Sequence, residues 1–497
     1  MQLFSAAIDG LHLTLTRIEA DVAHGLPACS IVGLGDASIK EARERVRPAI
    51  KRTGYTYPLR RMVINLSPAH IKKHGSLFDL PIALSILQAS GQIQEIKFDK
   101  IFCIGELTLD GGLRAVPGAF ALVNFAKQSG FKDIVIPFDN FDEASFIGGI
   151  KIHPAKTLKE AIQILYGAGD LHKCEAKIPV RKKFSGIDMD EIYGHQVQKR
   201  ALEIAISGRH HIALIGSPGT GKTMLAKAAA GIMPNLDLDE SLEVSMIYSL
   251  ANKAEANSLP MRFRPFRHVH HSTSAITLIG GGYPVKVGQA TLAHKGILFL
   301  DEFAEFSHGQ LESLREPLQE GLIRLGRHGE TRILPADFQL IAAMNPCPCG
   351  YYGDTGKNCL CTPYQIKTFY KRLSGPIVDR IDMAIDVPRI KTRQLGLDQT
   401  NEKSYVIRKR VEKAWLLQQK RGLKNSSIQL KDVDKLIFLS MEAKNFLKLV
   451  NEKMDLSPRS YLSVIRIART IADLEDCVEI GKNHVAEAVQ YKKSFIY

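Results

Sequence analysis

The sequence predicts an α/β protein that ends in a mainly helical region. Segments with the alternating or apolar pattern of strands are interleaved with segments of helical period up to about residue 388. A glycine-rich stretch at residues 216–223 separates the apolar run at 212–215 from an alanine-rich helical pattern at 224–230. A strand, a loop and a helix in this order are typical of parallel sheets. We therefore predict a parallel sheet in the central part of the chain.

The pattern changes along the chain predict three domains. Their expected boundaries are residues 1–170 for an α/β domain, 171–184 for a polar, basic linker, 185–388 for a central domain with an insertion at 345–363, and 389–497 for a helical domain. Strands are predicted at 11–20, 62–66 and 102–109, and helices at 38–51, 80–89, 404–421 and 460–474.

The composition is that of an ordinary globular protein. Of 497 residues, 45% are hydrophobic and 24% are charged, and no apolar run approaches the length that crosses a bilayer. The first residues lack the basic and apolar regions of a signal peptide. We expect a cytoplasmic protein without a membrane partner.

Positive charge is concentrated towards the C-terminus. The chain carries a net charge of +14, and residues 389–497 contain 22 Lys and Arg against 13 Asp and Glu, which contributes +9 of that total. Such a region suits a polyanionic partner. A solvated helical surface is the alternative explanation.

The glycine-rich stretch has the pattern of a phosphate-binding loop. Its glycines let main-chain N–H groups and the following helix N-terminus face the phosphates of a nucleotide. A lysine adds a point charge, and the next residue offers a hydroxyl ligand for Mg²⁺. The predicted nucleotide-binding residues are Gly216, Ser217, Pro218, Gly219, Thr220, Gly221, Lys222 and Thr223. ATP is the expected nucleotide.

Two later strands supply the groups that hydrolysis requires. Asp301 and Glu302 follow the apolar run 297–300, where Asp301 would hold Mg²⁺ and Glu302 would polarise the attacking water. Asn345 follows a third predicted strand and could orient the same water. The order of these elements resembles the AAA+ ATPases, which implies a ring of six subunits.

The resemblance extends to two arginines. Arg380 matches the arginine finger of the family, which stabilises phosphoryl charge across the subunit interface, and Arg459 matches the second sensor. A surface salt bridge is the alternative for either residue.

Two insertions carry basic residues that suit a nucleic acid. Residues 262–271 interleave basic and aromatic side chains before a glycine-rich turn and Lys286, which predicts a loop that contacts nucleic acid or, alternatively, an ordinary surface loop. Its histidines lack the cysteines or carboxylates of a metal pattern. Residues 322–335 predict a β-hairpin with Arg324 on a strand and Arg327 and His328 near the tip. Both insertions match the AAA+ branch that contains magnesium chelatase subunits and minichromosome-maintenance helicases.

Four of the eight cysteines form a cluster with the spacing C-x-C-x₉-C-x-C. Cys347, Cys349, Cys359 and Cys361 could supply four thiolates to a closed structural Zn²⁺ site. Buried or redox-active cysteines are the alternative.

The motif around these cysteines resembles the ComM/YifB family of magnesium-chelatase-like ATPases. The segments that carry the resemblance are residues 345–354, 372–382, 33–36 and 78–84, so it spans nearly the whole chain. It implies a hexameric, ATP-driven DNA helicase that migrates branched DNA during natural transformation, with single-stranded or branched DNA and recombination proteins as partners. A chelatase-like or protein-remodelling ATPase that acts on a protein partner is the alternative.

In that family the first domain is similar to the Lon protease catalytic domain, an α/β fold of the ribosomal S5 domain 2 type. Aligned with the Lon motifs, Leu77 takes the position of the nucleophile, Ser76 stands one residue early, and Phe120 takes the position of the lysine base. Because a Ser–Lys dyad needs both partners, we expect no proteolysis from this domain. A scaffold or a DNA-contacting collar is the predicted role.

Overall fold

The computed structural model describes residues 1–94, 96–167, 186–252, 260–282, 285–327, 330–373, 375–390 and 401–492. Its strands are β1 Gln2–Asp9, β2 His12–Ala23, β3 Ala28–Val32, β4 Arg61–Ser67, β5 Lys100–Cys103, β6 Glu106–Leu107, β7 Leu113–Arg114, β8 Asp133–Pro137, β9 Lys151–Ala155, β10 Ile212–Ile215, β11 Phe266–Val269, β12 Gly280–Gly281, β13 Lys286–Val287, β14 Ile297–Leu300, β15 Leu322–Arg327, β16 Glu330–Pro335, β17 Gln339–Met344, β18 Met383–Asp386, β19 Phe438–Leu439 and β20 Glu479–Ile480.

The helices alternate with these strands and then dominate the C-terminal part. They are α1 Ala37–Arg52, α2 Asp79–Ala89, α3 Ala119–Gln128, α4 Phe141–Ala144, α5 Leu158–Leu165, α6 Gln196–Gly208, α7 Lys222–Ile232, α8 Leu238–Leu250, α9 Ala275–Ile279, α10 Gln289–Leu292, α11 His308–Ser313, α12 Arg315–Glu320, α13 Pro363–Lys371, α14 Gly375–Val378, α15 Ser404–Arg421, α16 Leu430–Leu436, α17 Met441–Met454, α18 Pro458–Leu474 and α19 Lys482–Gln490. The predicted linker at 171–184 lies outside the described residues.

The chain divides into two compact units. The first consists of Met1–Arg181 with Ser241–Met261 and Pro284–Lys286, and the second consists of the rest of the chain. The first unit is built on a seven-stranded sheet in the order β3-β4-β2-β1-β5-β8-β9. In this sheet β2 pairs antiparallel with β1 and β4, and the other neighbouring strands are parallel. The predicted strands at 11–20 and 62–66 and the helices at 38–51 and 80–89 are confirmed as β2, β4, α1 and α2.

One strand prediction in this unit is wrong. Residues 102–109 do not form a continuous strand, because the chain leaves the ladder after β5 and resumes pairing only in the two-residue strand β6. The backbone N–H of Gly105 donates to Leu77 O at 3.0 Å, and Gly105 O accepts from Leu80 N at 3.0 Å. These bonds attach the segment to the start of α2 instead of to a neighbouring strand.

The second unit contains a five-stranded parallel sheet in the order β11-β14-β17-β10-β18. Strands β10, β14 and β17 are buried along their whole length, which explains their apolar sequences, interrupted only by Gln339 at the start of β17. In such a sheet the loops that follow the strands gather at the carboxyl edge, where ligands bind. The predicted central parallel sheet is therefore confirmed.

The C-terminal helices pack on the same core as this sheet. Apolar side chains of α15, α17, α18 and α19 join one buried cluster with residues of β10, β14 and β17. Helix α18 begins at the N-cap Ser457, whose side chain accepts from Ser460 N, with Pro458 in its first turn. The predicted helices at 404–421 and 460–474 are confirmed as α15 and α18. Within the described residues, every helix falls short of the length or the apolar character needed to span a bilayer.

Candidate active site

The loop between β10 and α7 is shaped by its glycines. A Cβ atom added to Gly216 would lie 2.4 Å from Val387 O, so a side chain at this position would collide with the backbone that follows β18. The hydroxyl of Thr220 donates to Ser217 O at 3.0 Å and closes the loop on itself. Helix α7 then starts at Lys222 and directs its N-terminal amides towards the loop.

Lys222 carries a buried charge inside this loop. Its Nζ donates to Gly216 O at 2.6 Å, to Ser217 O at 3.0 Å and to Asn345 Oδ1 at 3.3 Å. Burial lowers the pKa of its ammonium group to about 8, although the nearby carboxylates of Asp301 and Glu302 oppose the shift. An anion bound in the loop would stabilise the charged form of the buried lysine, which the neutral carbonyl groups do not compensate for its burial.

The two predicted carboxylates follow β14 and face the loop. Thr223 Oγ1 donates to Asp301 Oδ2 at 3.1 Å, which joins the two groups that would share Mg²⁺. Glu302 has a left-handed backbone with φ of 53°, a conformation that costs a non-glycine residue on the order of 1 kcal/mol. Glu302 is exposed at the surface of the site.

Asn345 completes a cavity of about 310 Å³ at the carboxyl edge of the sheet. Since β17 lies between β14 and β10, the residue after β17 stands between the carboxylates and the phosphate loop. The lining includes residues 218–224, Asp301, Glu302 and Asn345. The structure thus brings the end of the predicted phosphate-binding loop, both predicted carboxylates and Asn345 together around one cavity.

Three histidines that the sequence did not assign to this site face the carboxylates. His268 Nε2 lies 3.5 Å from Asp301 Oδ2, and His270 Nε2 lies 3.1 Å from Glu302 Oε2. His271 Nδ1 lies 2.7 Å from the same Glu302 oxygen. The expectation that this histidine cluster lacks a carboxylate is therefore wrong, because Glu302 is distant in sequence but adjacent in space.

The same segment corrects the predicted nucleic-acid loop at 262–271. Residues Phe266–Val269 form β11 and pair with β14, so they belong to the sheet. The buried guanidinium of Arg264 donates to Pro234 O and Lys295 O, both at 2.8 Å, and pairs with Glu240. These interactions hold Arg264 inside the unit, where it is 7% exposed. Alternating basic and aromatic residues here reflect a sheet edge and a buried ion pair.

Arg380 lies at the opposite edge of the sheet from the phosphate loop. Ile212 pairs with Met383 and Ile215 with Asp386, so the loop follows the carboxyl end of β10, whereas Arg380 precedes the amino end of β18. Strands of this length separate the two edges by roughly 10 Å. The Nη2 group of Arg380 donates to Gln319 Oε1 at 2.5 Å, a partner on α12 that the sequence did not reveal.

Arg459 stands near Arg380 at this amino edge. Ser463, one turn further along α18, donates to Asp382 Oδ1 at 2.6 Å, which fixes the start of α18 beside the residues before β18. Burial lowers the pKa of the Arg380 guanidinium, and the positive charges of Arg459 and Arg315 lower it further. The structure therefore brings the two predicted arginines together and separates both from the loop of their own chain.

The four clustered cysteines form what we call the cysteine knuckle, residues 347–361. Sulfur–sulfur distances are 3.3 Å between Cys347 and Cys349, 3.7 Å between Cys347 and Cys359, and 3.5 Å between Cys349 and Cys359. The ligand atoms of all four cysteines lie within 4.8 Å of one another. A tetrahedral ion with Zn–S bonds of about 2.3 Å places its sulfurs about 3.8 Å apart, so the cluster fits one such ion.

The predicted hairpin is present as β15 and β16. Its antiparallel register runs from Leu322 opposite Pro335 to Arg327 opposite Glu330, which covers the predicted range 322–335. His328 and the side chain of Arg327 lie outside the described residues. Arg324 Nη1 donates at 2.5 Å to both Glu316 Oε1 and Glu320 Oε2, the carboxylates of α12. Lys286 opens β13 and is exposed.

In the first unit, core residues occupy both positions that correspond to the nucleophile and the base of a protease dyad. Leu77 is 4% exposed, and Phe120 is fully buried. Ser76 Oγ donates to Glu106 instead of facing a lysine. Neither Leu77 nor Phe120 has a group that can act as nucleophile or base.

Comparison with known proteins gives consistent matches along the chain. The family model described as magnesium chelatase, subunit ChlI, matches residues 188–395, its C-terminal counterpart matches residues 401–492, and the model described as subunit ChlI of Mg-chelatase matches residues 18–140. An uncharacterized protein YifB of Escherichia coli is 39% identical over 485 residues, which are 97% of this chain and 95% of the relative.

Two further relatives are named for a function. The competence protein ComM of Haemophilus influenzae is 37% identical over 503 residues, covering 99% of this chain and 97% of that protein. DNA helicase MCM8 of Rattus norvegicus is 23% identical over 324 residues, covering 60% of this chain and 36% of that protein. The chain therefore belongs to the ComM/YifB family of magnesium-chelatase-like proteins.

Proposed function

We propose that this protein is an ATP-dependent DNA helicase or translocase that assembles as a homohexamer in the cytoplasm. Its task would be branch migration of recombination intermediates during natural transformation. The observation that carries the proposal is the cavity in which Lys222, Thr223, Asp301, Glu302 and Asn345 converge. These groups have the chemistry that nucleotide hydrolysis requires.

Each residue of the cavity has a distinct proposed role. Lys222 and the amides of the phosphate loop would bind the β- and γ-phosphates of ATP. Thr223 and Asp301, already joined by a hydrogen bond, would hold Mg²⁺, which neutralises phosphate charge when bound. Glu302 would polarise the attacking water, and Asn345 would orient it.

The position of the two arginines supports a ring. Arg380 and Arg459 are remote from their own phosphate loop, so their guanidinium groups would reach the nucleotide of a neighbouring subunit. There they would stabilise the negative charge of the transferring phosphoryl group. A homohexamer, the assembly that the AAA+ resemblance implies, gives every subunit such a neighbour.

The proposed substrate rests on the hairpin and on two relatives. The relative ComM is named a competence protein, and the relative MCM8 is named a DNA helicase. The hairpin residues Arg324, Arg327 and His328, together with Lys286, would contact the phosphate backbone of single-stranded or branched DNA. Arg324 would have to exchange its ion pairs with α12 for a phosphate contact. Recombination proteins are the expected partners.

The cysteine knuckle would bind one structural Zn²⁺. Four thiolates satisfy a tetrahedral ion and leave no open position, so the ion would order the knuckle without taking part in hydrolysis. Its ligands would be Cys347, Cys349, Cys359 and Cys361.

A second function has one specific observation in its favour. All three family models that match the described part of the chain describe subunit ChlI of magnesium chelatase, and none of them describes a helicase. A chelatase-like or protein-remodelling ATPase would use the same nucleotide site but would respond to a protein partner. DNA dependence of hydrolysis separates the two functions.

The experiment is a steady-state ATPase assay with and without branched DNA. We expect branched DNA to stimulate the wild type, and we expect the double variant Arg327→Ala with His328→Ala to keep its basal rate but lose the stimulation. Lys367→Ala removes an exposed positive charge from α13, outside the basic C-terminal region, and serves as the matched control, which should respond like the wild type. A wild type that hydrolyses ATP at the same rate with and without DNA would exclude the helicase proposal and favour the second function.

A further inference from the structure

A second cavity, of about 660 Å³, lies at the amino edge of the parallel sheet in the second unit. Arg209 precedes β10 and Lys295 precedes β14, so both line it from the edge opposite the phosphate loop. Helix α15 and the segment that follows it form the other wall. The volume lies in the range of pockets that bind small organic molecules. This cavity is therefore separate from the nucleotide site.

Apolar and aromatic side chains supply part of the lining. The ring of Trp415 lies against the guanidinium groups of Arg209 and Arg264, whose Cζ atoms are 4.6 and 4.7 Å from the ring centroid. The ring Nε1 donates to a main-chain carbonyl of α6 at 3.1 Å, which fixes the ring in place. Leu416 and Leu423 also line the cavity and are 57% and 37% exposed. A ligand with an apolar body would remove this surface from water.

The two arginines of the cavity differ in their hydrogen bonds. Arg264 donates to two main-chain carbonyl groups at 2.8 Å and pairs with Glu240 at 2.5 Å. In the part of the chain that the structure describes, the guanidinium of Arg209 forms ion pairs only, with Nη1 at 3.5 Å from Asp337 Oδ2 and Nη2 at 3.6 Å from Glu240 Oε1. Charge-assisted hydrogen bonds are about 2.7–2.9 Å long, so these contacts leave the donors of Arg209 available to a ligand.

Other cations already hold the carboxylate of Asp337. Lys424 Nζ donates to Asp337 Oδ2 at 2.8 Å, and Lys295 Nζ donates to the same oxygen at 3.2 Å. Burial lowers the pKa of the Arg209 guanidinium, and the positive charge of Arg264 lowers it further. An anionic group of a ligand would offset both effects.

The backbone supports a ligand site at the same two cations. Arg209 and Lys295 have φ of 57° and 60°, in the left-handed region that favours glycine. Residues held in this conformation are concentrated at functional sites, where the surrounding structure maintains them. Glu302 has the same feature in the nucleotide site.

Acidic side chains of the lining limit the charge of the ligand. Asp237, Glu240 and Glu412 line the cavity together with the cations. A dianionic phosphate would be repelled by these carboxylates, whereas one carboxylate matches the planar fork of a single guanidinium. The lining therefore favours a ligand with one negative charge.

We propose that this cavity binds a small organic monoanion, with its carboxylate on the guanidinium of Arg209 and its apolar body against Trp415, Leu416 and Leu423. Such a ligand would connect α15 to the amino edge of the sheet. The inference goes beyond the proposed function and does not depend on it, because the nucleotide site lies at the other edge.

The test uses intrinsic fluorescence, because Trp415 is the only tryptophan of the chain. The probe is anilinonaphthalene sulfonate, a monoanion with an aromatic body, whose sulfonate stands in for the carboxylate. The control probe is phenylnaphthylamine, which has the same aromatic body without the charge. Energy transfer from Trp415 reports a probe bound near this residue. We expect saturable transfer to the sulfonate probe and at least about tenfold weaker binding of the neutral probe, the loss expected for a hydrogen bond between charged groups.

Three variants identify the site of the bound probe. Arg209→Met keeps an unbranched side chain but removes the charge, so it should weaken the sulfonate probe at least about tenfold and leave the neutral probe within about twofold. Leu416→Glu adds a negative charge at an exposed position and should weaken the sulfonate probe more than the neutral one. Lys420→Met removes an exposed cation of α15 outside the lining and should bind both probes like the wild type.

Equal affinity of the wild type for the two probes would overturn the inference. The same conclusion would follow if Trp415 transferred no energy at saturating sulfonate probe, or if Arg209→Met bound this probe as tightly as the wild type. If Arg209→Met loses both probes, Leu416→Glu decides between the outcomes. A greater loss of the sulfonate probe then supports the inference, and equal losses of the two probes contradict it.

Discussion

The pH dependence of nucleotide binding follows from the burial of Lys222. In the empty loop the pKa of this lysine is about 8, and the oxygens of a bound triphosphate would return it to its usual range. ATP therefore selects the protonated form. Its affinity should be constant below the pKa of the empty site and should fall as pH rises through it.

The magnitude follows from that pKa. The apparent Kd is multiplied by one plus the ratio of neutral to charged lysine, which is about 1.1 at about pH 7 and about 11 at about pH 9. We therefore expect about tenfold weaker binding at about pH 9, equivalent to about 1.4 kcal/mol. His195, whose pKa burial lowers, stays neutral throughout this range and adds no change of charge.

The assay is calorimetric titration with ATP in a Glu302→Gln background that does not consume the nucleotide. Buffers of different ionisation enthalpy should report uptake of about half a proton at about pH 8 and of about 0.9 at about pH 9. Lys222→Arg keeps a positive charge at every pH of the series and should give a weaker but pH-independent Kd. A wild-type Kd that is the same at both pH values, with no proton uptake, would refute the reasoning.

Three further predictions concern hydrolysis and metal. Glu302→Gln should bind ATP but release phosphate at least about 100-fold more slowly, since the amide cannot take a proton from water; unchanged turnover would remove Glu302 from this role. Arg380→Ala, mixed with wild-type protein, should lower activity below the average of the two pure samples, because each variant subunit disables the site of its neighbour. Activity that simply follows dilution would argue against a shared site. Elemental analysis should find about one Zn²⁺ per chain and almost none when Cys347 and Cys349 are both replaced by serine, and a metal-free wild type would contradict the four-thiolate site.

Local patterns were sufficient for the elements that are determined by neighbouring residues. Helix α15 occupies the predicted residues 404–421, and the hairpin β15–β16 occupies the predicted range, because period and turn residues are local properties. The break after β5 could not be predicted, since Gly105 pairs with the start of α2 across a distance in sequence. The burial of Arg264 depends on Glu240 in the same way.

The same distinction between local sequence patterns and long-range contacts applies to the residues of the candidate site. Lys222, Asp301 and Asn345 could be identified because each follows a recognisable strand, and parallel strands bring their ends together. The contact of His271 with Glu302 and the support of Arg380 by Gln319 depend on tertiary packing. The distance of Arg459 from the phosphate loop could not be predicted either, because it depends on the packing of α18 against Asp382. The spacing of residues in the sequence does not encode this contact.

The two ends of strand β18 lie next to different parts of the candidate site. Its amino end follows Arg380, and its carboxyl end leads to Val387, whose carbonyl borders Gly216 of the phosphate loop. Because the arginines and the phosphate loop lie at opposite edges of the sheet, arginines that serve a neighbour would favour a head-to-tail contact, and such contacts generate closed rings or open rows of subunits. An open row of subunits would leave nucleotide without arginines at one end and arginines without nucleotide at the other. In the proposed hexamer, only a closed ring would give every bound nucleotide the arginines of a neighbour, so opening the ring to admit a DNA strand would inactivate the one site at the gap.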